Sequence, residues 1–184
     1  KVLKKAGYFP FIPTLENSSK VLCCGRTYLT NGLINHAKNE VLNILETYKP
    51  YLKNGISIVG LEPSCILSFR DEIPNLIKNE ETDYLKNNSY TFEELLSKHS
   101  EELKFKNLSK KVLLHGHCHQ KAFDVVKPIE NILKNIRGAE VETIETSCCG
   151  MAGSFGYDVD TYDISMKMAN EKLFPAIKKS KGEI

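Results

Sequence analysis

The chain has 184 residues, of which 41% are hydrophobic and 26% charged, with no tryptophan and a formal net charge of +2. That length can build one sizeable core or two half-size α/β lobes. So small a net charge leaves no electrostatic footprint for nucleic acid, no apolar run reaches membrane-span length, and no signal peptide is visible. The expected address is the cytoplasm, with any attachment at the inner membrane made peripherally through partners.

Taken in chain order, residues 2–6 carry a helical pattern closed by Gly7, and residues 8–12 read as a strand. Lys1 already stands inside that helical pattern, so the chain is expected to lack its true N-terminus. Next come Cys23, Cys24 and Gly25. Beyond them Leu33, Ile34, Ala37, Val41, Leu42, Ile44 and Leu45 recur at helical spacing. Past Asn54 and Gly55, residues 56–60 read as a short buried strand delivering Glu62, Pro63, Ser64 and Cys65. Residues 71–110 are polar, with weakly periodic Phe92, Leu95, Leu96 and Leu103, and are expected to form a helical connection with a loop near Asn87 and Asn88. A domain boundary follows, giving residues 1–107 and 108–184.

Residues 110–115 read as a buried strand, and it runs into His115, Gly116, His117, Cys118, His119 and Gln120. An amphipathic helix over 129–136, closed by Arg137 and Gly138, precedes an alternating strand over 141–144. Then Cys148, Cys149 and Gly150 repeat the earlier triplet, with Gly153 and Gly156 leaving room for a sharp turn or a close ligand. A helix from Tyr162 to Lys179, carrying Ile164, Met168, Leu173 and Ile177, follows. Lys181 and Gly182 then stand where Asn54 and Gly55 stood, so Ile184 should open another strand. The order helix, glycine stop, strand, Cys-Cys-Gly is thus used twice. Alternating strands and helices predict an α/β fold of two Rossmann-like lobes related by a pseudo-twofold axis, with mostly parallel sheets and both Cys-Cys-Gly turns near the seam.

Six cysteines without a secretory signal point to metal or redox use. A single buried cysteine is often only a small hydrophobe. Two repeated vicinal pairs are not, and neighbours of this kind cannot easily bond to each other, although both can point at one metal. Three histidines and Cys118 at the C-terminal end of a strand form a ligand cluster where open α/β sheets place their sites. In extended backbone His115, His117 and His119 would share one face and Cys118 the other, unless the chain turns at Gly116 or after the strand. Glu62, Arg26, Lys121 and Asp124 read as helix-end or salt-bridge groups, with ligand orientation as the alternative. Thiol redox catalysis by Cys148 and Cys149 would require an exposed, low-pKa thiolate.

Four strings carry a family resemblance: Leu-Cys-Cys-Gly-Arg from Leu22, Glu-Pro-Ser-Cys from Glu62, His-Gly-His-Cys-His-Gln-Lys-Ala from His115, and Thr-Ser-Cys-Cys-Gly-Met-Ala-Gly-Ser-Phe-Gly-Tyr from Thr146. They resemble the cysteine-rich CCG domain found in subunits of heterodisulfide reductase and anaerobic glycerol-3-phosphate dehydrogenase and in the iron-sulfur subunit of glycolate oxidase. They are most similar to the C-terminal iron-sulfur half of bacterial FAD-linked oxidases of the D-lactate dehydrogenase type. The resemblance implies a tandem repeat, each copy carrying one cysteine, a Cys-Cys-Gly and a closing Cys-x-x-Cys that together bind an iron-sulfur cluster of the 4Fe-4S type.

Carried over by residue, the second repeat supplies Cys118, Cys148 and Cys149, and its closing cysteine falls after Ile184. The first supplies Cys23, Cys24 and Cys65; Ser68 takes the second place of its Cys-x-x-Cys, and its leading place lies before Lys1. Neither copy reaches four thiolates, so occupancy calls on a histidine, His119 or His117, on sharing between lobes, or on a segment beyond this piece. The implied function is electron transfer between FAD, bound by an absent N-terminal domain or a partner subunit, and an acceptor protein or quinone, during oxidation of a D-2-hydroxy acid of the lactate or glycolate kind. The piece alone is not expected to turn over substrate. The alternative is a structural zinc module in which Cys118, Cys148, Cys149 and His119 pin the lobes without redox work.

Overall fold

A computed structural model describes residues 1–13, 21–100, 103–146 and 148–180. The chain divides into two compact units, Lys1–Glu102 and Leu103–Ile184. Each combines helices with a short parallel strand pair, so the class is α/β.

The first unit contains α1 (Val2–Lys5), α2 (Arg26–Thr30), α3 (Ile34–Leu52), β1 (Ile58–Gly60), α4 (Pro63–Ser68), α5 (Glu72–Leu76), α6 (Glu80–Asn88), β2 (Ser89–Thr91) and α7 (Phe92–Ser97). In α3 the spacing of Ala37, Val41, Ile44 and Leu45 puts one apolar stripe inward, and all four are buried with Leu52. That stripe shares the core with Ile66, Leu67, Ile73, Leu85, Leu95 and Leu96. Leu67 is completely buried, so Leu67→Ala should cost about 2–5 kcal/mol through lost burial and a cavity, read as a lower urea midpoint for the first unit.

Two expectations fail in this unit. Residues 8–12 form no strand. Pro10 has no N–H to give a ladder, and Phe9 and Ile12 are 95% and 90% exposed, so the segment has no buried face to align it. The connection after residue 71 is not wholly helical either. Asn87 and Asn88 close α6 instead of forming a loop, and the next three residues are β2, parallel to β1 with Ile58, Val59 and Gly60 opposite Ser89, Tyr90 and Thr91. A three-residue strand is too short to show a period of two. The Ser89 hydroxyl donates to the Leu85 carbonyl at 2.7 Å where α6 ends, and Thr91 with Glu94 forms the capping box that starts α7. Arg70 then grips both carboxylate oxygens of Glu94 at 2.8 and 2.9 Å.

The second unit contains β3 (Lys110–Leu114), α8 (Cys118–Ala122), α9 (Lys127–Lys134), β4 (Ala139–Thr143), a 3₁₀ turn at Phe155–Tyr157, α10 (Tyr162–Glu171) and α11 (Leu173–Lys179). Strands β3 and β4 are parallel, registered from Lys110 opposite Ala139 to Leu114 opposite Thr143. Helix α9 crosses between them and packs on β4, whose Glu140 and Glu142 face solvent in alternation. The single helix expected over 162–179 is broken at Lys172. Pro175 cannot donate to the helix ladder, and its ring crowds the carbonyl four residues earlier, at Glu171, where α10 stops. Lys181, Gly182 and Ile184 lie outside the described residues. No described helix is long and apolar enough to cross a membrane.

Candidate metal centre

In the second unit the C-terminal end of β3 delivers the histidine and cysteine cluster. The chain turns hard at Gly116, where a Cβ would come within 2.7 Å of a Val126 methyl. It then enters α8 with His117 as N-cap. His117 Nδ1 accepts the His119 backbone N–H at 3.2 Å, and Gln120 Oε1 accepts the His117 N–H at 3.1 Å. The chain thus takes the exception allowed to the single-face reading, a turn at Gly116: His115 follows β3, His117 caps the helix, and Cys118 and His119 sit in its first turn. The turn stacks the His117 and His119 rings, with centroids 5.2 Å apart and planes inclined by 21°.

Cys118 is exposed at the start of α8 and feels the electrostatic influence of Cys148 and Cys149. Its residual burial raises its thiol pKa, the two neighbouring sulfurs raise it further, and the Lys121 ammonium opposes them. An activated nucleophile needs the opposite shift, so Cys118 is poor for thiol catalysis. Gly150 has a φ of +85° and donates its N–H to Cys148 Sγ at 3.3 Å. A Cβ on Gly150 would stand 2.5 Å from the Ser165 carbonyl oxygen in α10, so only glycine fits.

A polar strap behind the thiols was not legible in the motif strings. Lys121 Nζ donates to the Thr146 carbonyl at 2.8 Å and contacts its hydroxyl at 3.0 Å, while that hydroxyl bonds His115 Nδ1 at 2.9 Å. The strap ties α8 to the residue two places before Cys148. Burial lowers the His115 pKa first, and the positive charges of Lys121 and His117 lower it further, so His115 is a neutral imidazole at neutral pH.

The first unit builds its triplet alike. Gly25 has a φ of +77°, donates to Cys23 Sγ at 3.5 Å, and presses on Ala37 of α3, where a Cβ would meet the backbone oxygen at 3.1 Å. Again a parallel strand, β1, leads into a helix start bearing a cysteine, and Cys65 Sγ lies 3.0 Å from Cys24 Sγ. Glu62 is the N-cap of α4, accepting from the Cys65 N–H at 2.7 Å and the Ser64 hydroxyl at 2.5 Å. Burial pushes its carboxyl up, but those hydrogen bonds together outweigh burial and leave the pKa below the usual range. Arg26 pairs with Glu72, and Asp124 takes the left-handed turn after α8 with a φ of 55°. These charged residues serve backbone and helix ends, as the plainer reading of the sequence expects.

Each unit therefore offers three thiols, and the second adds two imidazoles beside Cys118. Among the described residues no group of three or more His, Cys, Asp or Glu side chains stands close enough together to hold a metal ion. The donor chemistry is soft sulfur with borderline nitrogen, which suits an iron-sulfur cluster or zinc and not calcium or magnesium. In the second unit the donor types, three thiols and two imidazoles, suit such a group. In the first unit Ser68 is fully buried and gives its hydroxyl to the Cys65 carbonyl at 2.7 Å, so the place of a fourth donor is taken by an oxygen already engaged.

Comparison with known proteins agrees with this chemistry. Residues 112–183, from β3 through α11, match the family model described as CCG, cysteine-rich domain. The chain is 26% identical to a subunit of anaerobic glycerol-3-phosphate dehydrogenase from Escherichia coli K12, over 90% of this chain and 42% of that protein. It is 26% identical to D-2-hydroxyglutarate dehydrogenase from Haemophilus influenzae, over 90% of this chain and 16% of the relative. Lactate utilization protein A from Bacillus cereus G9842 is also 26% identical, over 86% of this chain and 67% of that protein. The chain thus spans less than half the length of the first two. No solved structure matches it. Residues 112–183 are thus similar to the CCG cysteine-rich domain, and the anaerobic glycerol-3-phosphate dehydrogenase subunit named by the motif strings is among the proteins that the comparison finds.

Proposed function

We propose that this chain is the electron-transfer part of a FAD-linked dehydrogenase acting on a D-2-hydroxy acid of the lactate, glycolate or hydroxyglutarate kind. The flavin belongs to a domain or subunit outside this chain, and the electrons leave to an acceptor protein or quinone. The two units correspond to tandem copies of one half-domain, and the protein works in the cytoplasm or against the inner membrane through its partners.

One observation carries the reading: after β3 the chain enters α8 with Cys118 in its first turn, and Lys121 of the same helix bonds the Thr146 carbonyl two places before Cys148, which draws the three thiols toward one end of the strand. Cys118, Cys148 and Cys149 would hold an iron-sulfur cluster of the 4Fe-4S type, with His119 or His117, or a residue outside the chain, as fourth ligand. The cluster supplies a one-electron carrier when bound. The residues do the rest. The Gly150 N–H stabilises negative charge on the Cys148 sulfur, the strap from Lys121 through Thr146 to His115 fixes the approach of the triplet, and the half-buried Cys148 and Cys149 limit water at the centre. The same soft donors accept zinc, but the likeness to proteins named as dehydrogenases supports a redox centre.

The test is anaerobic reconstitution with ferrous iron and sulfide, followed by visible absorption and elemental analysis. A brown protein with a charge-transfer band and bound iron is expected. Colourless protein with stoichiometric zinc and no iron uptake would overturn the reading. Binding should also depend on pH. Cys118 is held protonated by its raised pKa and must release that proton to bind. Apparent affinity should therefore rise by up to about tenfold per pH unit for each thiol proton released, below the thiol pKa values. Metal-competition titrations at several pH values measure that slope, and a flat profile would exclude thiolate ligation.

A further inference from the structure

We propose that Cys24 and Cys65 form a reversible intrachain disulfide, so that the first unit carries a dithiol–disulfide couple and not a second metal centre. This inference rests on the first unit alone and does not depend on what the second unit binds.

The geometry selects the pair. Cys24 Sγ and Cys65 Sγ lie 3.0 Å apart although 41 residues separate them in sequence. Disulfide sulfurs lie about 2.05 Å apart, so closure asks for an approach of only about 1 Å. The adjacent pair Cys23 and Cys24 is a poor alternative, because a trans dipeptide does not converge its Cβ atoms, and Cys23 Sγ is turned back to the Gly25 N–H. Both partners are anchored by their own backbone. Gly25, next to Cys24, is wedged against Ala37 of α3, and the Cys65 N–H is held by the Glu62 carboxylate. Two groups pre-positioned in this way react as an intramolecular pair, which favours ring closure over a lasting mixed disulfide. Both residues are only half-buried, so a small oxidant has access. Finally, the buried Ser68 hydroxyl is spent on the Cys65 carbonyl, so among the described residues the place of a closing thiol is held by an oxygen that is already engaged.

The oxidant is a low-molecular-weight disulfide of the glutathione type. Cys24, as thiolate, attacks it, forming a mixed disulfide and expelling one small thiolate. The second protein thiolate then attacks the protein sulfur of that mixed disulfide, forming the Cys24–Cys65 bond and expelling the second small thiolate. Two electrons pass from the protein to the small disulfide, and the two protons released by the protein thiols are taken up by the departing thiolates. Closing this bond removes two of the three thiols in the unit, so disulfide and metal exclude each other there.

The full 184-residue chain, freed of metal by chelation, is equilibrated across reduced-to-oxidised glutathione ratios. It is then trapped with iodoacetamide and mapped by non-reducing peptide mass spectrometry. Free thiols should fall from six to four at the oxidising end, with the peptide holding Cys24 joined to that holding Cys65, and dithiothreitol should restore all six. Cys23→Ser should keep the link, and Cys65→Ser should replace it by a glutathione adduct. Six alkylated cysteines throughout, or a link that survives Cys24→Ser at full yield, would overturn the proposal. So would a second measurement that needs no oxidation: iron retained by Cys118→Ser after anaerobic reconstitution and lost on adding Cys65→Ser would make the first unit a metal site. Failure of the second unit to bind iron would leave the predicted cross-link unchanged, so the two readings fail separately.

Discussion

Replacing Gly150 by alanine should destabilise the second unit by about 3 kcal/mol or more, the sum of a left-handed φ forced on an L residue and a Cβ driven into a backbone that cannot yield. The φ of +85° alone makes alanine unfavourable. The larger part is steric, because the new carbon would lie 2.5 Å from the Ser165 carbonyl oxygen and 2.9 Å from its Cα. Relief requires α10 to back away from the triplet, which also moves Cys148 and Cys149. Gly153 is the internal control: its φ is +55°, yet nothing lies within 4 Å of its added Cβ. Gly153→Ala should therefore cost only the conformational part, about 1–2 kcal/mol. Urea unfolding of both variants measures the contrast, and equal costs would show that packing on α10 does not constrain the triplet.

Replacing Cys118 by serine should abolish iron uptake, while Cys65→Ser should leave it near the wild-type amount. A hydroxyl is a much harder, more basic ligand than a thiolate and does not deprotonate at neutral pH in its place, so the second unit would fall from three sulfur donors to two. Lys121→Met is graded between these. It keeps every ligand but removes the tie to the Thr146 carbonyl and the cation opposing the Cys118 shift, and outer contacts of this sort are worth about 10–100-fold in metal affinity. Iron and sulfide content of the three variants, reconstituted side by side without oxygen, gives the ranking. Iron uptake by Cys118→Ser equal to wild type would remove Cys118 from the centre.

Both experiments probe places where residue type was plain from the chain but arrangement was not. The repeated triplet, its glycines, the strand before His115, helix α9 with its stop at Gly138, and the alternation of β4 all follow from periodicity and turn chemistry acting within a few residues. The motif strings likewise named the thiols and imidazoles. Strand β2 was hidden because its three residues become a strand only by pairing with β1, some thirty residues upstream, and local propensity cannot register a partner. The apparent strand at 8–12 failed for the converse reason: β-prone residues found no ladder.

What the amino-acid order determined unaided was therefore chemical and local: α/β class, soft donors in two sets, and glycines where φ turns positive. What tertiary structure alone decided was proximity. It set Cys24 on Cys65 across 41 residues, turned His117 into a cap, and strapped Lys121 to Thr146 across 25. Such contacts depend on where whole helices pack, and packing sums many small dispersion and burial gains spread along the chain, so no single short stretch encodes them.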